Sequence, residues 1–366
     1  MSAAMDTFMS QALALAEQAC LVCPPNPAVG CVLVRADGQV IGQGHTQATG
    51  QAHAEVMALR DAAARGHATQ GATAYVTLEP CAHQGRTGPC ADALIAAGVQ
   101  RVVAALQDPN PRVAGQGFDR LRAAGIEVVV GPGAEASREL NIGFFSRMTR
   151  QRPWVRLKVA ASLDGRTALP SGVSQWITSD AARADGHAWR ARAGAVLTGI
   201  GTVLRDNPRL DVRLAGIARQ PMLVIVDSRL RTPLDARLWD VPQRRVCIAC
   251  AGADAARERA VRGRGADVLP LPGADGQVEL PALLAELARR EVNELHVEAG
   301  AQLNAALWRA GLVDELLLYQ APLLLGEGPG LATLGPFTEL AQGVRLEYQT
   351  VGRVGPDLRI VARVNA

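Results

Sequence analysis

The sequence predicts an α/β protein built from two domains in series. Three observations lead there. The chain has 366 residues, too many for one ordinary core. Runs rich in β-branched residues alternate with amphipathic helical stretches. A polar stretch ending in proline, RMTRQRP at 147–153, interrupts the alternation and reads as a linker. The expected domains are therefore residues 1–147 and 153–366.

In the first domain, DTFMSQALALAEQA reads as a helix capped by Asp6, with Phe8, Ala12, Leu15 and Ala19 on one stripe. Its end is marked by PPNP. VGCVLV and VIGQG are strands around an Asp-Gly turn. Residues 53–65 form a helix, TAYVTLEP a strand, and 90–97 a helix stopped by Gly98. RVVAAL and IEVVVG are further strands, with helical GFDRLRAAG between them. The second domain repeats the alternation. WVRLKVAAS, GAVLTG, PMLVIVDS, RRVCIACA and ELHVEAG are strands, with helices near 179–192, 253–263, 281–290 and 301–310. DELLLYQAPLLLG and DLRIVARV complete it.

Composition narrows the function. A net charge of +3 with scattered basic residues does not describe a nucleic-acid groove. No apolar run reaches the roughly 18 residues of a membrane span. Seven cysteines, an odd number in a long chain, and a first basic residue at Arg35 lead to the expectation of a cytoplasmic protein without a secretory leader. All but one of the 38 basic residues are arginine; the exception is Lys158. Where a long cation suffices, such a chain has used arginine. The lysine that remains is read as needed for its compact ammonium.

The chemistry-bearing residues of the first domain are His53, Glu55, Cys81 and Cys90. A catalytic zinc takes three protein ligands and keeps a corner for water, whose acidity it raises. His53, Cys81 and Cys90 supply the three. Glu55 lies about 200° round a helix from His53, so the metal is expected off the helix end, where first-turn side chains converge. Cys90 follows Pro89 at a second helix start, and two helix N-termini favour thiolates. Glu55 is then left to carry a proton from water to a departing amine. The order His-x-Glu, Pro-Cys, Cys is that of zinc deaminases, with eight residues between the cysteines instead of the usual two. Cys20/Cys23 and Cys247/Cys250 also have metal-site spacing. The latter pair lies in an expected strand, where residues three apart face opposite sides, so buried filler is the better reading.

These stretches resemble one family, the bifunctional deaminase–reductases of riboflavin biosynthesis. PNPAVGCVLV, HAEVMAL, ATAYVTLEPCAHQGRTGPC, DPNPRVAGQGFDRLRAAGI and LKVAASLDGRTA carry the likeness, as do SQWITS, GIGTVLRDNPRLDVR, VEAG and GLVDELLLYQAPLLLG. It runs from about residue 7 to residue 362. The resemblance implies a cytidine-deaminase-like three-layer domain followed by a dihydrofolate-reductase-like α/β domain. It implies zinc-dependent deamination of 2,5-diamino-6-(5-phosphoribosylamino)pyrimidin-4-one, then NADPH-dependent reduction of the resulting uracil's ribose to a ribityl chain. It further implies a homo-oligomer, dimer or tetramer.

Carried over residue by residue, Asn26, His45, His83 and Arg86 hold the pyrimidine and its phosphate. Ala160, Trp176, Thr178, Thr202, Asp206, Ser228 and Gly300 border NADPH, and Ser174, Arg190, Leu210, Arg213 and Glu298 border the reductase substrate. Lys158 and Asp206 are candidates to position or protonate the opened sugar. On residue type alone, Asn26 is equally a turn-former, Glu298 a capping carboxylate and Asp206 a turn residue before Asn-Pro. No G-x-G-x-x-G follows the first strand of the second domain, so a Rossmann site is not expected. Gly88, Arg205 and Asp211 depart from the family pattern, and no aromatic separates Gly44 from His45. The rival readings are a single-function zinc nucleobase deaminase with an inert second domain, and a non-enzymatic module with structural zinc.

Overall fold

The computed structural model describes residues 2–83, 88–111, 113–217, 219–252 and 254–364. The chain forms two compact units, Met1–Gln151 and Arg152–Ala366.

In chain order the first unit contains α1 (Ser2–Ala19), β1 (Gly30–Val34), β2 (Val40–His45), α2 (Ala54–Ala64), β3 (Thr73–Val76) and α3 (Cys90–Ala96). It continues with β4 (Arg101–Ala104), α4 (Gln116–Ala123), β5 (Glu127–Val130), α5 (Ala134–Leu140) and α6 (Ile142–Arg150). The sheet order is β2-β1-β3-β4-β5; β1 is antiparallel to both neighbours and β3, β4 and β5 run parallel. Alternating side chains divide between two faces. Cys31, Leu33 and Val76 join the core made with α2, α3, α4 and α6. Val32, Val34 and Tyr75 face Met9 and Ala12 of α1. The result is helix, sheet, helix in three layers.

Glycine sets the spacing where helices touch strands. A Cβ at Gly30 would lie 1.9 Å from the Ala12 carbonyl oxygen, and one at Gly42 would lie 2.3 Å from that of Ala58. Helix α1 starts at Ser2, so Asp6 lies inside it and is not its cap. The expected linker is helical as far as Arg150, and the turn comes at Gln151, with φ of 57°. The polarity of 147–153 misled because Phe144 and Phe145, earlier in the same helix, do the burying.

The second unit contains β6 (Trp154–Ser162), α7 (Asp180–Arg192), β7 (Ala195–Gly199), α8 (Ile200–Asp206), β8 (Met222–Val226), β9 (Val246–Cys250) and α9 (Ala255–Gly263). Then come β10 (Ala266–Pro270), α10 (Leu280–Arg289), β11 (Glu294–Val297), α11 (Ala301–Arg309), β12 (Glu315–Ala321), β13 (Leu346–Val354) and β14 (Asp357–Val364). The nine strands are ordered β10-β9-β8-β7-β11-β6-β12-β14-β13. All pair parallel from β10 to β12, and the β13–β14 hairpin adds an antiparallel edge. Leu197 and Leu157 face α10 and α11, while Val196 and Ile225 face α8 and α9. In such a sheet, ligands bind beyond the carboxyl ends of the strands.

Candidate active sites

In the first unit, three segments bring their donors to one point. His53 is not on α2 but is its N-cap residue, with extended backbone, which removes the 200° difficulty. Cys81 follows β3, and Cys90 is the first residue of α3 behind Pro89. His53 Nδ1 lies 3.7 Å from Cys81 Sγ and 3.4 Å from Cys90 Sγ. The Cys90 amide donates to Cys81 Sγ at 3.3 Å. All three ligand atoms lie within 4.8 Å of one another.

Charge is arranged around them. The Cys90 thiol, its strongest partner, draws the Cys81 thiol down to about 4 against the effect of burial, with help from His53. Cys90 is in turn pushed up by Cys81 and by burial. The Cys81 sulfur also raises His53. Glu55, in the first turn of α2, is buried, and burial followed by the nearby Cys81 raises its carboxyl to about 7. A carboxyl poised there gives and takes a proton near neutral pH.

The remaining first-unit candidates sit on loops. His45 ends β2, its Nδ1 3.1 Å from the Thr46 carbonyl oxygen. The Asn26 turn is tied to the segment after His45 by Thr49, whose hydroxyl donates to the Cys23 and Pro24 carbonyls. His83 Nδ1 is buried without a hydrogen-bond partner among the described residues. Arg86 lies outside the described residues. Sequence reasoning passed over Glu79. It is buried and accepts from the amides of Asp108, Gly115, Gly117 and Phe118, holding the loop before α4 against the strand end that leads to Cys81. The signal was an acidic residue closing an apolar strand.

In the second unit a cleft of about 2650 Å³ opens at the carboxyl ends of β6, β7, β8 and β11. That is several times a single drug-sized pocket, room for a dinucleotide and a substrate together. Lys158 on β6 reaches it, Nζ 3.7 Å from Glu298 and 5.9 Å from the centre of the Tyr319 ring. Glu298 follows β11 and accepts both arms of the Arg190 fork, while His296 Nε2 lies 3.4 Å away. Burial would raise Glu298, but Arg190 and Lys158 outweigh it and hold the carboxyl well below its usual range. Burial lowers the Lys158 ammonium, opposed by Glu298.

The other second-unit candidates line the same cleft: Ala160, Ser174, Trp176, Thr178, Thr202, Asp206, Leu210, Arg213, Ser228 and Gly300. Thr202 and Asp206 lie on α8, directly after β7, and burial raises the Asp206 carboxyl. Gly300 caps α11. Trp176 is largely exposed beneath the Arg183 guanidinium, 4.4 Å from its ring centre. Leu210 turns the chain through a φ of 51°, a costly region for leucine. Asp211 anchors Arg213 at 2.5 Å. His187, which sequence reasoning passed over, also lines the cleft. Cys247 and Cys250 are buried in β9, as filler should be.

Comparison with known proteins decides between the rival readings. Residues 3–106 match the cytidine and deoxycytidylate deaminase zinc-binding region, and residues 153–360 match the RibD C-terminal domain. The riboflavin biosynthesis protein RibD of Escherichia coli K12 is 44% identical over 366 residues, covering 96% of this chain and 97% of that one. The chain belongs to the RibD family.

Two solved structures in the family agree with this one throughout. Acinetobacter baumannii RibD is 42% identical with a TM-score of 0.90, and the match covers all of both chains. A Thermotoga maritima protein, described as a diaminohydroxyphosphoribosylaminopyrimidine deaminase/5-amino-6-(5-phosphoribosylamino)uracil reductase, is 31% identical with a TM-score of 0.87, covering 99% of each chain. This family member is a bifunctional enzyme of riboflavin biosynthesis, with a zinc-binding deaminase domain and a reductase domain of the kind that uses NADPH. The expectation of a cytidine-deaminase-like domain followed by a reductase domain holds. The alternative of a lone deaminase joined to an inert domain is overturned, because the family match covers the reductase domain as well. No described helix is long and apolar enough to cross a membrane.

Proposed function

We propose that the first unit deaminates 2,5-diamino-6-(5-phosphoribosylamino)pyrimidin-4-one and that the second reduces 5-amino-6-(5-phosphoribosylamino)uracil with NADPH. The observation that carries the first half is the convergence of His53, Cys81 and Cys90 beside Glu55. Ligands held 2.0–2.3 Å from one tetrahedral zinc stand roughly 3.5 Å apart. The 3.4 and 3.7 Å separations fit that geometry, and two thiols with one imidazole are a zinc donor set. His53, Cys81 and Cys90 would hold the zinc, which when bound would supply an acidified water facing the ring carbon. Glu55 takes that water's proton and delivers it to the leaving amine. His45, His83, Asn26 and Arg86 orient the heterocycle and its phosphate.

The reductase half rests on the cluster of Lys158, Glu298 and Arg190 in the cleft. The cleft would hold NADPH, whose chemistry when bound would be hydride donation to the ring-opened sugar. Lys158 places its ammonium at the sugar oxygen, held there by Glu298, which Arg190 in turn fixes. Ala160, Trp176, Thr178, Thr202, Asp206, Ser228 and Gly300 border the cofactor; Ser174, Leu210 and Arg213 border the substrate. We place the enzyme in the cytoplasm, since seven cysteines, an odd number spread over a long chain, do not make a disulfide framework. It is proposed to act as a dimer or tetramer: β13 is largely exposed and, among the described residues, is the last strand on its side of the sheet.

The test follows ammonia release and NADPH absorbance with the diaminopyrimidine phosphate as the starting compound. Ammonia should appear first and NADPH should then be consumed, one equivalent of each. Ammonia release from cytidine instead, or NADPH unchanged with the uracil product supplied, contradicts the proposal.

A further inference from the structure

We propose that His187 is a further substrate-contacting residue of the reductase, its Nε2–H donating a hydrogen bond to the phosphate of the phosphoribosyl substrate. The inference rests on the substrate reading above and adds a residue to it. His187 lies on α7 one turn before Arg190, so both project from the same helix face. It is only 9% exposed, yet it lines the cleft. Its Nδ1 accepts the backbone N–H of Arg213 at 3.4 Å. An imidazole whose Nδ1 accepts carries its proton on Nε2. No described residue is hydrogen-bonded to Nε2. A donor with no partner among the described residues, on a ring that is mostly buried but lines a ligand cleft, is placed to meet something that binds there.

The charges around the ring say what. Arg190 from α7, Arg213 and Asp211 from the loop after α8, and Glu298 from the end of β11 all act on it. Burial, then Arg190 and Arg213, push the imidazole down to about 4, so it stays a neutral donor at pH 7. Arg190 is turned on Glu298 and on the Asp211 carbonyl. The Asp211 carboxylate is matched by Arg209 and Arg213. The Arg213 side chain is 58% exposed and keeps donors to offer. A positive corner with a neutral N–H beside it suits an anion with several oxygens, and the phosphate is the anionic part of the substrate.

Two substitutions separate contact from scaffolding. Asn keeps an acceptor near the Nδ1 position and has nothing at Nε2; Gln places an N–H near Nε2 and has no acceptor at Nδ1. The reading is NADPH oxidation with 5-amino-6-(5-phosphoribosylamino)uracil, and with the same compound lacking its phosphate. For H187N, KM for the phosphorylated compound should rise about tenfold or more while kcat stays within about twofold, as loss of a charge-assisted hydrogen bond requires. H187Q should lose less, and the variants should not differ on the dephosphorylated compound. In the unsubstituted protein, the His187 imidazole ¹⁵N signal should shift with ribose 5-phosphate and not with ribose. An unmoved KM in H187N with a raised one in H187Q makes His187 only the prop of the Arg213 loop. Equal losses on both compounds remove the phosphate from the proposal. If the unsubstituted enzyme leaves NADPH untouched, the substrate reading itself falls, and this inference with it.

Discussion

Glu55 and His187 show how burial prepares single side chains for opposite tasks. Burial raises the Glu55 carboxyl to about 7, so near neutral pH it both takes and returns a proton. Glu55→Gln keeps size and polarity but cannot accept a proton. Ammonia release should fall by about 10²–10⁴-fold, the usual worth of a positioned acid–base group. NADPH oxidation on supplied uracil product should be unchanged. His187 is lowered instead. Its folded value of about 4 lies below the 6.5 of an unperturbed imidazole, so the unfolded chain binds the proton first. The stability it contributes is full above about pH 6.5 and is lost as pH falls through about 4. Melting temperatures at pH 7.5 and pH 5 should drop further for the unsubstituted protein than for H187Q; equal drops would show that His187 titrates normally. Of these two residues only Glu55 was legible in the sequence, because it sits two positions from a ligand histidine in a recognisable order. His187 stands alone in an ordinary amphipathic helix. Its meaning depends on the Arg213 amide, 26 residues away along the chain.

Elements place these residues through a few close contacts. Helix α7, which carries His187 and Arg190, is capped by Ser179, whose hydroxyl accepts the Ala182 amide. The same hydroxyl donates to buried Asp357, which also accepts the Ser179 amide. Ser179→Ala removes the cap and one partner of a buried carboxylate. It should cost about 1–2 kcal/mol of stability, measured by denaturant unfolding. In the first unit, a Cβ on Gly117 would lie 1.9 Å from the carbonyl oxygen of Pro80, the residue before Cys81. Backbone cannot yield as a side-chain tip can. Gly117→Ala should therefore slow ammonia release and leave NADPH oxidation on supplied uracil product intact, since α4 has to move off the strand end. Most elements were legible from periodicity and turn residues, including α2, α7, α10 and β6. Those missed had weak patterns for physical reasons. Strand β13 is exposed on both faces and has no apolar alternation to read. Helices α5 and α8 are each seven residues long, two turns without a stripe. Helix α6 ends in the polar residues that looked like a linker.

At the scale of the whole molecule, each compact unit has its own core and its own proposed site. That makes metal removal a selective perturbation. His53, Cys81 and Cys90 come from the N-cap of α2, the loop after β3 and the start of α3, so one bound ion would tie three segments of the first unit. A ligand that binds only the folded form stabilises it in proportion to the logarithm of its concentration over its dissociation constant. At 1,000 times that constant the gain is about 4 kcal/mol. A chelator should therefore lower the melting of the deaminase unit by several degrees as it abolishes ammonia release. The reductase cleft holds no comparable cluster of histidine and cysteine among the described residues. Its melting and its NADPH oxidation on supplied uracil product should stay where they were. Calorimetry with and without chelator, followed by zinc add-back, reads both at once. Two transitions of which only one shifts, with ammonia release restored by zinc, is the expected record. A common shift of both transitions, or reductase turnover lost with the metal, would mean that the metal's influence is not confined to the unit that supplies its three ligands.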